Sequence, residues 1–243
     1  MNDKIQGIVI QSLRYGDTSL IVKVLTRNYG LQSYMVKGAF NRISKNKAGF
    51  FQDLNLIQYV ETGHSDRQAL GYLKDVQLSF IYQSIPFVMN KSAILLFISE
   101  LLSKTITEQE RNEALFDFIT HSMQWLDLVE HDYANFPLFF SLELTRHLGF
   151  YPKANYTNGA CFDMMQGMFV HDYPLHPYFF DAVASSLFSF LINVPIEEAC
   201  HVPIKVNQRR ELLNGLIDYI RLHASTMKDF HSHEVLKTVL EYG

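Results

Sequence analysis

The sequence predicts an α+β protein in two domains: a small closed β-barrel of five strands, followed by an all-α domain. Three observations predict it. Residues 5–79 break into short runs rich in β-branched residues. After Pro86 the apolar spacing changes to a helical period. The balance of charge changes with it: residues 1–80 carry 10 Lys and Arg against 6 Asp and Glu, a net of +4, and residues 81–243 carry 11 against 19, a net of −8. The boundary is expected near 80–86, giving domains at 1–80 and 81–243.

The first strand is Ile5-Gln6-Gly7-Ile8-Val9-Ile10. Residues 20–24 and 31–36 follow, with Asn28-Tyr29-Gly30 between them. Gly30 tolerates positive φ, so this pair reads as a hairpin. Residues 54–61 and 70–78 supply the last two strands, across the polar turn Thr62-Gly63-His64-Ser65-Asp66. Five short strands in about 75 residues fit a small barrel better than a sandwich. The long basic connection 38–49 hangs from it.

Helical spacing begins at 88–104, where Ile94, Leu95, Ile98, Leu101 and Leu102 recur at i, i+3 and i+4. Residues 114–129 repeat the pattern, and 136–148 form a third segment with Pro137 in its first turn. Residues 151–173 lose periodicity and read as a loop or small hairpin. Residues 178–192, 195–200, 209–227 and 233–240 complete the helical half.

Composition and chemistry exclude several classes. With 48 % hydrophobic residues the chain is a folded protein. Two cysteines, Cys161 and Cys200, are too few for a disulfide framework and point to a reducing, cytoplasmic setting. No run approaches the roughly 20 apolar residues of a membrane span. Neither a phosphate-cradling glycine loop, nor a GxSxG elbow, nor an HExxH helix is present. The closest histidine pairs, His171 with His176 and His231 with His233, lack a second pair to close a metal tetrahedron. No catalytic, metal or cofactor site is expected.

The feature that points to a function is the stretch 18–52. It contains no Asp or Glu, yet carries Lys23, Arg27, Lys37, Arg42, Lys45 and Lys47. A basic segment without counter-charge is an electrostatic footprint for a polyanion. Single-stranded nucleic acid needs cations along its phosphates and π-faces for its bases. Arg14 and the six cations above could supply the first. Tyr15, Tyr29, Tyr34 and Phe40 could supply the second, with Tyr29 and Phe40 in predicted turns. Tyr34 fits barrel core and surface equally. Strand parity puts Lys23 and Arg27 on one face. An acidic protein partner is the competing occupant of the same patch.

These residues resemble the RecO recombination-mediator family of bacterial DNA repair. Arg14-Tyr15-Gly16-Asp17-Thr18-Ser19-Leu20 resembles its R-x-Y-[GS]-[ED]-x-S-L opening. Thr26-Arg27 with Tyr29-Gly30 matches its T-x-x-x-G hairpin, and Val36-Lys37-Gly38-Ala39, followed by Arg42 and Ser44, matches its strand end and basic loop. Near the C-terminus, Tyr219-Ile220-Arg221-Leu222-His223 and then Phe230-His231-Ser232-His233-Glu234-Val235-Leu236 resemble Y-x-x-x-H followed by L-K-S-x-x-V-L. There are two departures. Many members carry a zinc finger of C-x2-C pairs, whereas here the segment is Gly159-Ala160-Cys161-Phe162-Asp163-Met164-Met165-Gln166-Gly167. One cysteine cannot hold a structural zinc, so a zinc-free variant is expected, with an irregular loop at 151–175 packed through Phe162, Met164, Met168 and Phe169. The second departure is His231 where lysine is frequent.

The resemblance implies an oligonucleotide-binding (OB-fold) barrel and a helical domain, with no covalent chemistry. It implies binding of single- and double-stranded DNA and annealing of complementary strands. With RecR, it implies loading of the strand-exchange recombinase onto DNA covered by single-strand-binding protein, and residence in the cytoplasm with the nucleoid during repair. The acidic, aromatic-ended tail of single-strand-binding protein is implied to dock on the helical half, where an apolar pocket beside a cation suits it. Arg146, Lys153, Arg209 and Arg210 are candidates by charge. An OB-fold RNA-binding accessory protein and a protein-docking adaptor are the rival classes.

Overall fold

The computed structural model describes residues 4–41, 48–62, 70–107, 110–194, 198, 201–224, 226–227 and 230–240. Arg42, Lys45 and Lys47, and most of the helix expected at 195–200, lie outside these residues. The chain divides into two compact units, Met1–Leu128 and Val129–Gly243.

The first unit opens with β1 (Ile5–Tyr15), β2 (Ser19–Thr26), β3 (Gly30–Val36), β4 (Leu56–Thr62) and β5 (Gly71–Leu78). They close a barrel in the order β1-β2-β3-β5-β4. β1 runs on to Tyr15, beyond the β-branched run, because a register shift between Val9 and Gln11 lets its second half keep pairing with β2. β4 starts at Leu56 rather than at residue 54, because Leu54 is buried with φ 61° and turns the chain before the ladder begins. The β2–β3 turn is the predicted one. Gly30 has φ 67°, and the buried Thr26 hydroxyl donates to the Gly30 carbonyl and accepts from the Tyr29 N–H, each at 2.9 Å.

Val22, Val24, Tyr34, Val36, Ile57 and Tyr59 fill the barrel with Phe51, which a 3-10 turn (Ala48–Phe51) delivers. Tyr34 is therefore core. The Tyr59 hydroxyl donates to the Tyr34 hydroxyl at 2.9 Å, and burial pushes the Tyr34 phenol up to about 12.

Two helices complete this unit, α1 (Met89–Thr105) and α2 (Glu113–Leu128). Ala93, Ile94, Phe97, Ile98, Leu101 and Leu102 form the buried face of α1. The linker from β5 is bound by one carboxylate. Asp127, buried near the end of α2, accepts from the main-chain N–H groups of Gln83, Ser84 and Ile85 at 2.8–2.9 Å. Buried Lys91 donates to the Ser84 hydroxyl and the Asp127 carbonyl. Burial alone would raise the Asp127 pKa; the three N–H donors and the Ser84 hydroxyl outweigh it and hold the carboxyl below its usual value.

The second unit contains α3 (Phe136–His147), β6 (Cys161–Asp163), β7 (Met168–Val170), β8 (Phe179–Phe180), α4 (Ala182–Asn193), α5 (Val206–His223) and α6 (Ser232–Leu240). The segment 151–175, expected to be an irregular loop or a small hairpin, holds the hairpin β6–β7, and β8 pairs with β6 on the other side. Phe162, Met164 and Phe169 are buried as expected, with Met168 half-buried. The Phe162 ring lies 4.8 Å from Phe188, 5.1 Å from Phe169 and 5.6 Å from Tyr219. Apolar packing is joined by a polar turn. Asp163 accepts from the Met165 and Gln166 N–H groups and from the Gln166 side-chain amide, and His176 Nε2 lies 3.3 Å away.

α4 starts at Ala182, not at residue 178. Phe179 and Phe180 are taken by the sheet, and Asp181 caps the helix by accepting from Val183 and Ala184. α5 begins at Val206, earlier than expected, and stops at His223, where Ala224 turns extended. Gly215 on α5 faces β8 so closely that a Cβ would stand 2.2 Å from the Phe180 ring. Among the described residues no helix is long and apolar enough to cross a membrane.

Candidate nucleic-acid interface

Within its described residues the acid-free stretch builds β2, β3 and the turns around them, so the barrel positions Lys23, Arg27 and Lys37. Lys23 lies in the middle of β2, between the inward Val22 and Val24, and is exposed. Lys37 follows β3 and is exposed; its ammonium sits 4.7 Å from the centroid of the Tyr72 ring on β5. Arg14 lies at the turn end of the β1–β2 hairpin. It donates to the main-chain oxygen of Asp17 at 3.1 Å rather than to its carboxylate, and its guanidinium lies 5.0 Å from the Phe40 ring. Tyr29 and Phe40 are both exposed turn residues, at 54 % and 47 %.

Arg27 behaves differently from Lys23, and strand parity fails for it because β2 ends at Thr26. From the turn, Arg27 donates to Asp117 at 2.9 Å, with Glu113 3.9 Å away, both on α2. These side chains are more than a third exposed, so the pair contributes little stability. It does neutralise and direct the guanidinium. Tyr34 is withdrawn from any surface role by its place in the core.

One arrangement is not visible from the basic stretch alone. Val22, Tyr34, Val36 and Leu73 point into the barrel, so the alternate residues face out. The register sets Leu13 opposite Ile21, Ile21 opposite Met35, and Met35 opposite Tyr72. Leu13, Ile21, Met35 and Tyr72 thus form a continuous apolar row over four strands, with Leu13 51 % and Tyr72 38 % exposed. Alternation in each strand signals these residues individually. Their alignment depends on the parallel β3–β5 pairing, which joins strands far apart in sequence.

In the second unit the four candidate cations separate. Arg146 is held by Glu143 at 2.7 Å and stacks 3.6 Å from the Tyr151 ring centroid. Lys153 is exposed in the chain after α3. Arg209 and Arg210 line one small apolar cleft of about 30 Å³ with Ala134, Pro137, Leu138 and Leu213. A wider, polar cavity of about 340 Å³, lined by Asn135, His201 and Ile204, shares Ala134 and Arg209 with it. Arg209 donates to Asn135 at 3.3 Å, and burial, then the neighbouring Arg210, lowers its pKa. Among the described residues no three His, Cys, Asp or Glu side chains gather as a metal site.

Comparison with known proteins covers both halves. Residues 1–82 match the family model described as Recombination protein O N terminal, and residues 87–229 match Recombination protein O C terminal. A protein of Flavobacterium psychrophilum named DNA repair protein RecO is 37 % identical, over 98 % of this chain and 99 % of its own length. Proteins of the same name from Flavobacterium johnsoniae and Bacteroides fragilis are 34 % and 32 % identical, covering 98 % and 99 % of this chain and 99 % and 100 % of their own. A closed five-stranded barrel with a cationic surface, followed by helices, with family models matching residues 1–82 and 87–229, makes this chain a member of the Recombination protein O family.

Proposed function

We propose that the chain is a cytoplasmic DNA repair mediator without enzymatic activity. The barrel domain, residues 1–80, binds single- and double-stranded DNA and anneals complementary strands. The helical domain, residues 81–243, docks proteins. With RecR, the protein helps to load the recombinase onto DNA coated by single-strand-binding protein. The observation that carries this is the acid-free stretch 18–52, which displays Lys23 on β2 and Lys37 just after β3 on a closed barrel. Cations on one surface screen two phosphate backbones and let bases meet. Membership of a family whose relatives are named for DNA repair supports the same conclusion. For the tail of single-strand-binding protein, the cleft beside Arg209 and Arg210 is favoured over Arg146 and Lys153, because there two cations adjoin apolar side chains.

The test is an annealing assay with complementary oligonucleotides at two salt concentrations, with and without single-strand-binding protein. The wild type accelerates annealing, more so at low salt. Arg42→Glu, Lys45→Glu and Lys47→Glu together weaken annealing and DNA binding. Arg27→Glu has a smaller effect on DNA binding than Lys23→Glu, because Asp117 already engages that guanidinium. A flat DNA-binding curve at low salt sinks the proposal and leaves a protein-docking adaptor. A clear preference for RNA over DNA of the same sequence replaces it with an RNA-binding role.

A further inference from the structure

We infer that Glu113 and Asp117 on α2 compete with nucleic-acid phosphates for Arg27, so that this helix holds DNA binding by the barrel below what the barrel's own cations give. The inference rests on the barrel being a nucleic-acid surface and goes beyond it by naming a contact within the chain that opposes binding. Among the described cations of the acid-free stretch, Lys23, Arg27 and Lys37, only Arg27 meets carboxylates. The two acids stand at i and i+4 on α2 and so share a face of the helix. Arg27 Nη2 donates to Asp117 Oδ2 at 2.9 Å, and Arg27 Nε lies 3.9 Å from Glu113 Oε2. The guanidinium stands over the buried Phe116 ring of the same helix, 6.0 Å from its centroid.

Three features make this contact exchangeable. Its side chains are 39 %, 39 % and 35 % exposed, so a phosphate can reach the guanidinium, and an ion pair this open adds little stability. Asp117 holds Arg27 through one hydrogen bond, whereas a guanidinium grips a phosphate through two parallel ones. Glu113 Oε1 is bonded to Arg111, so Glu113 keeps a cationic partner when Arg27 leaves. In the free protein the carboxylates hold the guanidinium. A strand that reaches the β2–β3 turn takes it over, gaining a phosphate contact and losing an ion pair. The carboxylates thus subtract from the affinity for any phosphate backbone, single or paired, and ease the release of an annealed product.

The experiment measures binding of the full chain to a single-stranded oligothymidine, by fluorescence anisotropy over a range of salt. Glu113→Gln with Asp117→Asn is expected to tighten binding about threefold at low salt, the scale of one exposed ion pair. The salt slope becomes steeper by about 0.7, the contribution of one further phosphate contact on a single strand. Adding Arg27→Gln to that pair abolishes both gains, whereas Arg27→Gln alone changes wild-type binding less. Thermal unfolding establishes that the variants are folded, and Asp117→Asn alone, which removes the 2.9 Å partner, serves as an independent variant. No tightening overturns the inference. Equal tightening with and without Arg27 also overturns it, because the carboxylates then act through their general field and not through this guanidinium. Both results leave the DNA-binding proposal standing, and a wild type that binds no DNA at low salt overturns both.

Discussion

Asp127 does the work of a rivet between α2 and the linker that leaves the barrel. Replacing it by Ala strands three main-chain N–H groups, and the expected loss is about 3 kcal/mol of stability, read by chemical denaturation. The loss depends on pH. The folded carboxyl is held below the 3.8 of an ordinary Asp, so the folded state is favoured by it above that value and loses the benefit as pH falls through the folded pKa. The difference between wild type and Asp127→Ala should therefore shrink below about pH 4, and a constant difference would contradict the assignment. Nothing in the local sequence marks Asp127, which looks like any carboxylate on a helix; its role comes from a linker some 42 positions away. The Tyr219 and His223 block was legible as a pattern, and the structure supplies its reason. Tyr219 donates to the Phe150 carbonyl, and His223 Nε2 lies 2.8 Å from the Met164 carbonyl, so both anchor α5 within the second unit.

Among the elements, the β6–β7–β8 sheet and α5 are joined at Gly215. Alanine is the better helix former by about 1 kcal/mol, yet Gly215→Ala should destabilise the protein by about 1–3 kcal/mol, because its Cβ would meet the Phe180 ring. A thermal melt decides it, and a raised melting temperature would refute the close packing. Strands and helices were largely readable here, because period and β-branched runs belong to the element itself. Their ends were less so. The late start of α4 and the early start of α5 follow from strand pairing and the Asp181 cap, which are tertiary and local choices that periodicity does not encode. The hairpin expected to rest on apolar residues also rests on Asp163, a polar contribution that its single letter gave no reason to single out.

For the whole molecule, the proposed DNA binding carries a definite response to salt. With about six phosphates neutralised, log affinity for a single strand should fall with log salt at a slope of about −4. A titration across salt concentrations tests this, and a slope near zero would remove the phosphates from the interface. The cations were legible in composition, and the fate of Arg27 was not, since its partners come from α2. The junctions of the barrel differ in extent. β1–β2–β3 and β4–β5 pair neighbouring strands, and four pairs join β1 to β4. The last junction, β3 to β5, rests on the two pairs Tyr34 with Gly71 and Met35 with Tyr72. With two pairs it is the smallest junction of the barrel. Met35 and Tyr72 are also the last two residues of the outward row, so a change at either is felt at the barrel's thinnest seam.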